Sequence, residues 1–263
     1  MTGPLRDLVG RDAWDQYYQA GPWRLPAWAD SALHPHRDRL VRRLLPRGPG
    51  RRLLEVGSAP GRYLAFFARE LGYEVVGIDY SPAGHAATLR NMELTATRAE
   101  VILGDFFTHP FGPASFDVVL SVGFIEHFDD RRRVLGRMDE VVKPGGWLVA
   151  TWPNLRGLNG WIFRRFRPKA AAEHFTFGAA EIAAILRTRG YAIAYAGPLD
   201  GPFLLDPLAE AAWAARRPGL ARLARAPLAI FNRCSRGLNR LLGWAPETDL
   251  LSCDQGVFAC KGA

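Results

Sequence analysis

A glycine turn, two acids and two histidines carry the first chemical signal in this chain. The stretch EVGSAPG, residues 55–61, reads as the end of an apolar strand entering a tight turn through Gly57 and Gly61, with a helix beginning near Pro60. Glycines let a ligand approach the backbone, and the first N–H groups of a helix have no intrahelical partner, so such a turn can cradle a nucleotide-type cofactor. Asp79 ends the next apolar run, 22 residues after Gly57. A carboxylate at that spacing can accept from both hydroxyls of a ribose. Asp105, in GDFF after the third run, stands where a purine amino group would lie. His127 in FIEHF and His174 in EHFTF add proton chemistry, because an imidazole titrates near neutrality. Each is a general-base candidate, and for the Glu126–His127 pair a purely local structural role stays open; His34, His36 and His109 are weaker candidates.

Several chemistries are excluded. The turn lacks the Gly-x-Gly-x-x-Gly spelling of a dinucleotide site, and no P-loop lysine and Ser/Thr pair follows it. No His/Cys cluster has metal-ligand spacing, so no metal is expected. The three cysteines, Cys234, Cys253 and Cys260, form no CxxC pair, which argues against a disulfide framework and for a reducing cytoplasm.

The elements that must position these groups follow from alternating patterns. The runs RLLEV, EVVGID, EVILGD, FDVVLSV and GWLVATW read as strands separated by helices, which implies a parallel sheet covered on both faces. Gly72 is a helix stop, and Ser81 followed by Pro82 is a helix start. YAIAYAG is a sixth strand, and LLSCDQGVFAC contains a closing one. Residues 1–45 read as an N-terminal helical segment. Its aromatics Trp14, Tyr17, Tyr18, Trp23 and Trp28 could form a lid, or merely bury an apolar face, with Tyr17 and Tyr18 the first candidates for cofactor contact. The rest, 46–263, reads as one domain with insertions at about 154–177 and 198–248. Two helices are expected over 203–243, broken by Pro218 and Pro227.

In order and spacing, EVGSAPG, GIDYSP, GDFF, FDVVLSVGFIEHF and VVKPGGWLVATWPN resemble the successive motifs of class I S-adenosylmethionine-dependent methyltransferases, over roughly residues 50–155. EHFTF and YAIAYAG look like the subgroup acting on quinones and natural products. The resemblance implies a Rossmann-like seven-stranded sheet with its last strand antiparallel. It also implies roles: Gly57, Ser58 and Gly61 at the methionine part of S-adenosylmethionine, with Glu55 holding the turn or the amino group; Asp79 on the ribose; Tyr80 against the adenine; Asp105 on its amino group, with Phe106 beside it; and Ser121 near the methionine end. Ala59 stands where the family usually has a glycine.

The expected partner is a small-molecule acceptor, anionic or hydrophobic, with O-methylation favoured. Two rivals remain: an RNA methyltransferase, and a cofactor-binding protein of this fold that does not methylate. The formal charge of +8 and the Ala-Pro-Gly spelling favour RNA, but no lysine precedes Lys143, so a Lys-Asp-Lys-Glu set cannot be assembled. No N-terminal apolar run reads as a signal peptide. In residues 228–242, Leu228, Phe231, Leu238, Leu241 and Leu242 share one helical face, and Arg233, Arg236 and Arg240 another. The favoured reading is a core stripe with a solvated basic face; a membrane-surface helix is the alternative. Oligomeric state is not legible.

Overall fold

Seven apolar runs become seven strands of one sheet. The computed structural model describes residues 5–21, 23, 35–208, 211–242 and 246–262; Trp28 and His34 lie outside them. In chain order the strands are β1 (Arg52–Val56), β2 (Glu74–Asp79), β3 (Glu100–Leu103), β4 (Phe116–Val122), β5 (Val142–Pro153), β6 (Tyr191–Leu199) and β7 (Asp254–Lys261). Their order across the sheet is β3-β2-β1-β4-β5-β7-β6. β7 runs antiparallel to both of its neighbours, and the β3-β2-β1-β4-β5 neighbours pair in parallel. The seven strands and the antiparallel last one are as the family resemblance implies.

The side-chain period of 2 divides the strands between two cores. Leu54, Val56 and Val119 join one face, packed with Val134, Leu135 and Met138 of α5 (Arg131–Val141) and Ile182 and Leu186 of α8 (Ala179–Arg187). Leu53, Val118 and Leu120 join the other, packed with Leu40 and Val41 of α2 (Pro35–Leu44) and with Tyr63, Leu64 and Phe66 of α3 (Arg62–Phe66). Helix α3 continues as a π turn over Phe67–Leu71 and stops at Gly72, whose φ of 77° is left-handed. Ser81 caps α4 (Pro82–Leu94) by accepting from Gly84 N–H, as the Ser-Pro signal predicts.

The N-terminal segment divides into two parts. Helix α1 (Arg11–Gln19) lies over α4 and the turn after β1. Helix α2 is pinned elsewhere: the N–H groups of His36 and Arg37 donate to Asp200 Oδ1, and the buried Arg37 guanidinium pairs with Asp200 and Asp254 at the ends of β6 and β7. Beyond β5 lie α6 (Leu158–Phe166) and α7 (Pro168–Ala172); beyond β6 lie α9 (Ala212–Arg216) and α10 (Pro218–Leu242). The expected break at Pro227 does not occur. Pro218 opens α10, where its missing N–H costs nothing, and Pro227 lies inside an unbroken helix of 25 residues. Its i−4 partner is Leu223, a residue open to solvent, so water can take up the freed carbonyl.

Candidate active site

Sheet order reverses between β1 and β4, and the crevice at the carboxyl ends of the strands opens there. A cavity of about 420 Å³ occupies it. Gly57 and Ala59 supply its floor, Ile78, Asp79 and Tyr80 the end of β2, and Asp105 to Thr108 the loop after β3. Val122, Gly123, Phe124, His127 and Phe128 follow β4, and Leu5, Asp7, Trp14 and Tyr18 close it from the N-terminal segment.

The turn after β1 takes its shape from two left-handed glycines and from the close fit of Gly61 against α4. Gly57 and Gly61 have left-handed φ values of 68° and 89°. A Cβ on Gly61 would lie 2.8 Å from Met92 Cε and 2.9 Å from Thr88 Cγ2, so side chains of α4 press directly on the backbone. Ala59 is not left-handed, which is why alanine fits where the family usually has glycine. Its N–H donates to Asp79 Oδ2 at 3.1 Å, and its carbonyl accepts from Tyr18 Oη at 3.0 Å. Asp79 Oδ1 accepts from Ser81 N–H at 3.0 Å. Each Asp79 oxygen thus keeps lone pairs for a ligand diol, and burial raises its pKa, opposed by those backbone N–H bonds.

The structure brings some predicted residues into the wall and leaves others behind it. Gly57, Asp79, Tyr80, Asp105, Phe106, Tyr18 and His127 line the cavity. Glu55, Ser58, Gly61, Ser121, Tyr17 and His174 are not in this wall. Glu55 is buried beneath the turn, accepting from Leu64 N–H at 3.1 Å, and burial pushes its pKa up to about 8. Ser58 points down beside Gly77, where a Cβ would lie 2.7 Å from its Oγ. Ser121 is buried in β4 with its Oγ unpartnered. Tyr17 is 49% exposed, because successive residues on a helix point about 100° apart and Tyr18 faces inward.

A strap across residues 5–18 completes the site, and most of its contacts are invisible to local patterns. Tyr80 Oη donates to Asp7 Oδ2 at 2.7 Å, and Leu8 N–H to His127 O at 2.9 Å. Asp15 Oδ1 accepts from Ala83 N–H at 2.7 Å and Ser81 Oγ at 3.1 Å, an anion set on the N-terminus of α4. Phe107, Phe124 and Phe128, also missed, form an apolar wall in which Phe107 and Phe124 stack at 6.2 Å. The runs GDFF and GFIEHF hold the only local hint of it.

His127 occupies a short 3₁₀ turn, Ile125–His127, with Trp14 edge-on to its ring at 5.1 Å. Its Nδ1 lies 2.7 Å from the Glu173 carbonyl, an acceptor only, so Nδ1 carries the proton and Nε2 keeps its lone pair. His174 is held the same way by the Ala170 carbonyl, and its ring stands 4.7 Å from that of His127. Burial, reinforced by His174, pushes His127 down to about 4. Burial also lowers His174, and pushes Glu126 up to about 8 with its own backbone N–H opposing. Glu126 Oε1 lies 3.8 Å from His127 Nε2, outside hydrogen-bond reach, and both groups favour their neutral forms, so this contact is not an ion pair. Each of Glu126, His127 and His174 offers a ligand atom within 4.8 Å of the others, a metal-compatible grouping that no sequence spacing announces.

The cavity fits S-adenosylmethionine: a buried acid with spare lone pairs at the end of β2, a second acid after β3, a left-handed glycine at the floor and an aromatic wall. Comparison with known proteins agrees. Residues 54–150 match the family described as "Methyltransferase domain". A 24-methylenesterol C-methyltransferase 2 of Oryza sativa subsp. japonica is 36% identical over 52% of this chain and 38% of its own length. A probable S-adenosylmethionine-dependent methyltransferase of Mycolicibacterium smegmatis is 28% identical over 66% of this chain and 65% of its own length. The chain thus spans less than two thirds of either relative. Among solved structures, the [4+2]-cyclase SpnF superposes with a TM-score of 0.63 at 17% identity, over 99% of both chains. The phosphoethanolamine N-methyltransferase 2 of Haemonchus contortus, in complex with S-adenosyl-L-methionine, superposes with a TM-score of 0.63 at 20% identity, over 97% of this chain and 59% of that one. Residues 54–150 thus carry the methyltransferase-domain match, set in the seven-stranded sheet order of a Rossmann-like class I methyltransferase fold.

Proposed function

We propose that the protein transfers a methyl group from S-adenosylmethionine to a small-molecule acceptor, with oxygen the favoured acceptor atom. The observation that carries this reading is the walled cavity at the switch point, whose volume lies in the range of roughly 300–1,000 Å³ usual for small-molecule sites. When bound, the cofactor supplies a methyl on a sulfonium, already a good leaving group. The protein's work is therefore positioning, exclusion of water and removal of one proton. Asp79 holds the ribose hydroxyls, Asp105 the adenine amino group, and Tyr80 and Phe106 flank the base. Trp14 and Tyr18 keep water from the reacting end.

His127 takes the acceptor's proton at Nε2. Its neutral form dominates at pH 7 because burial disfavours the charge, and the Glu173 carbonyl fixes the tautomer with the proton on Nδ1 and the lone pair on Nε2. The Glu173 carbonyl and the His174 ring, behind the wall, position that imidazole. The sterol methyltransferase relative supports a hydrophobic acceptor. The free thiols of Cys234, Cys253 and Cys260 support a reducing cytoplasm.

The test is incubation with methyl-labelled S-adenosylmethionine and a panel of phenols, quinols, carboxylates and sterols. Label should pass to at least one acceptor class. His127→Ala should lower kcat about 100-fold while leaving cofactor affinity within about three-fold. Calorimetric cofactor binding with no transfer to any acceptor would overturn the reading in favour of a non-methylating protein of this fold.

A further inference from the structure

Helix α10 is built inside out. At about 100° per residue, Leu220, Leu223, Ile230, Leu238, Leu241 and Leu242 fall within an arc of about 120°, a continuous apolar stripe along 25 residues. An ordinary surface helix turns such a stripe to the core. Here every one of these side chains is exposed, Leu223 at 71% and Leu241 at 81%, and Phe231 lies among them, also exposed. The side facing the body is largely polar. Asn232, 7% exposed, donates from Nδ2 to Leu204 O at 2.8 Å and accepts from Leu204 N–H at 2.9 Å. Ser235 Oγ donates to Pro202 O, and Arg225 Nε to Asp206 Oδ2 at 2.8 Å. The buried Ala221 is the small residue on this side.

Charge is the second observation. The helix contains five arginines, Arg222, Arg225, Arg233, Arg236 and Arg240, and no aspartate or glutamate. Arg222 and Arg233 are exposed and lie on the wheel about 60–100° from Leu223 and Ile230, a separation that an arginine's long side chain can reach across to the headgroups above a buried stripe. An apolar stripe with cations along its flank is what a helix lying in the plane of an anionic lipid surface requires: hydrocarbon burial from one and phosphate attraction from the other, neither sufficient alone. No helix among the described residues is long and apolar enough to cross a membrane, which leaves the in-plane arrangement. A second copy of the chain would answer the apolar stripe but not the charge, since it would set one acid-free row of arginines against another.

We propose that α10 is an interfacial helix that docks the protein on bilayers containing anionic phospholipid. This surface does not depend on the methyl-transfer reading, and its test measures no turnover. The full chain is floated with vesicles of phosphatidylcholine alone and with vesicles of equimolar phosphatidylglycerol and phosphatidylcholine. Partition onto the anionic vesicles should exceed that onto the neutral ones by about ten-fold or more and weaken with added salt. The double variant Leu223→Asp/Leu241→Asp should lose about ten-fold or more of that partition while keeping the wild-type thermal midpoint, since both side chains are in solvent. Arg222→Glu/Arg233→Glu should abolish the preference for anionic lipid. Failure to bind either vesicle, or binding indifferent to the leucine pair, would overturn the proposal. So would a dimer in light scattering that the leucine variant converts to monomer, which would assign the stripe to a second copy.

Discussion

Glu126→Gln is predicted to stabilise the protein, and more so as pH rises. Glu126 is buried with neither carboxylate oxygen hydrogen-bonded, and burial pushes its pKa from 4.5 up to about 8. The sign follows from proton counts. Between those values the folded chain keeps a proton that the unfolded chain has lost, so stability falls as pH rises. The contribution is fully present below 4.5 and gone above about 8, at a little over 1 kcal/mol per pH unit. Summed over that window, Glu126 alone costs about 5 kcal/mol at pH 8, an upper figure because solvent relaxation reduces it. Glutamine has the same shape and no charge to lose. The variant should match wild type near pH 5 and exceed it by several kcal/mol at pH 8, measured by urea unfolding at closely spaced pH values. Glu55, also pushed up to about 8, will keep a residual alkaline slope in the variant. On the acid side His127, lowered from 6.5 to about 4, works in the opposite sense: stability is present above 6.5 and lost as pH falls toward 4. Equal pH slopes for wild type and Glu126→Gln between pH 5 and 8 would refute the assignment of a buried, uncompensated carboxyl.

Two further predictions concern the turn. Asp79→Ala should weaken S-adenosylmethionine binding about 10- to 100-fold by calorimetry, through loss of charge-assisted bonds. Asp79→Asn should fall between, since it keeps one acceptor oxygen for the loop, and an unchanged affinity in Asp79→Ala would remove the residue from the cofactor site. Gly61→Ala should destabilise by about 1–3 kcal/mol in urea unfolding, because a side chain there meets both a left-handed φ and Thr88 Cγ2 at 2.9 Å.

The strands were readable because each apolar run is bounded by a turn signal, whereas the antiparallel last strand came from the family resemblance and the order across the sheet from the structure alone. The acids at the ends of β2 and β3 followed, since the fold fixes which strand ends face the crevice. Details that depend on side-chain direction did not follow. Tyr17 and Tyr18 are adjacent in sequence, and only one can face inward from a helix. Ser58 sits in the cofactor turn, yet the missing side chain at Gly77 gives it room beneath the loop. The His127–His174 contact joins groups 47 positions apart, brought together by the bond from Phe175 N–H to Glu126 O at 2.8 Å and by the Glu173 carbonyl. Asp7 arrives through a single bridge to Phe128. Such long-range pairings leave no period in the sequence.

Helix α10 marks the point where amphipathic periodicity stops being informative. A period of 3.6 specifies that a stripe exists, not which way it faces. The usual inference, stripe to core, assumes that the neighbouring surface is apolar. Here the neighbouring chain at 202–206 presents backbone carbonyls, an N–H and the Asp206 carboxylate, and these are satisfied by Asn232, Ser235 and Arg225. Turning the leucines inward would leave those polar groups buried without partners, at about 1–3 kcal/mol each. It would also place Asn232 in solvent, where it has nothing to gain. The orientation is therefore decided by the polar side of the helix. The apolar side is left to meet whatever the protein meets outside itself, and the exposed Arg222 and Arg233, on the same solvent-facing half of the helix, favour a negatively charged surface.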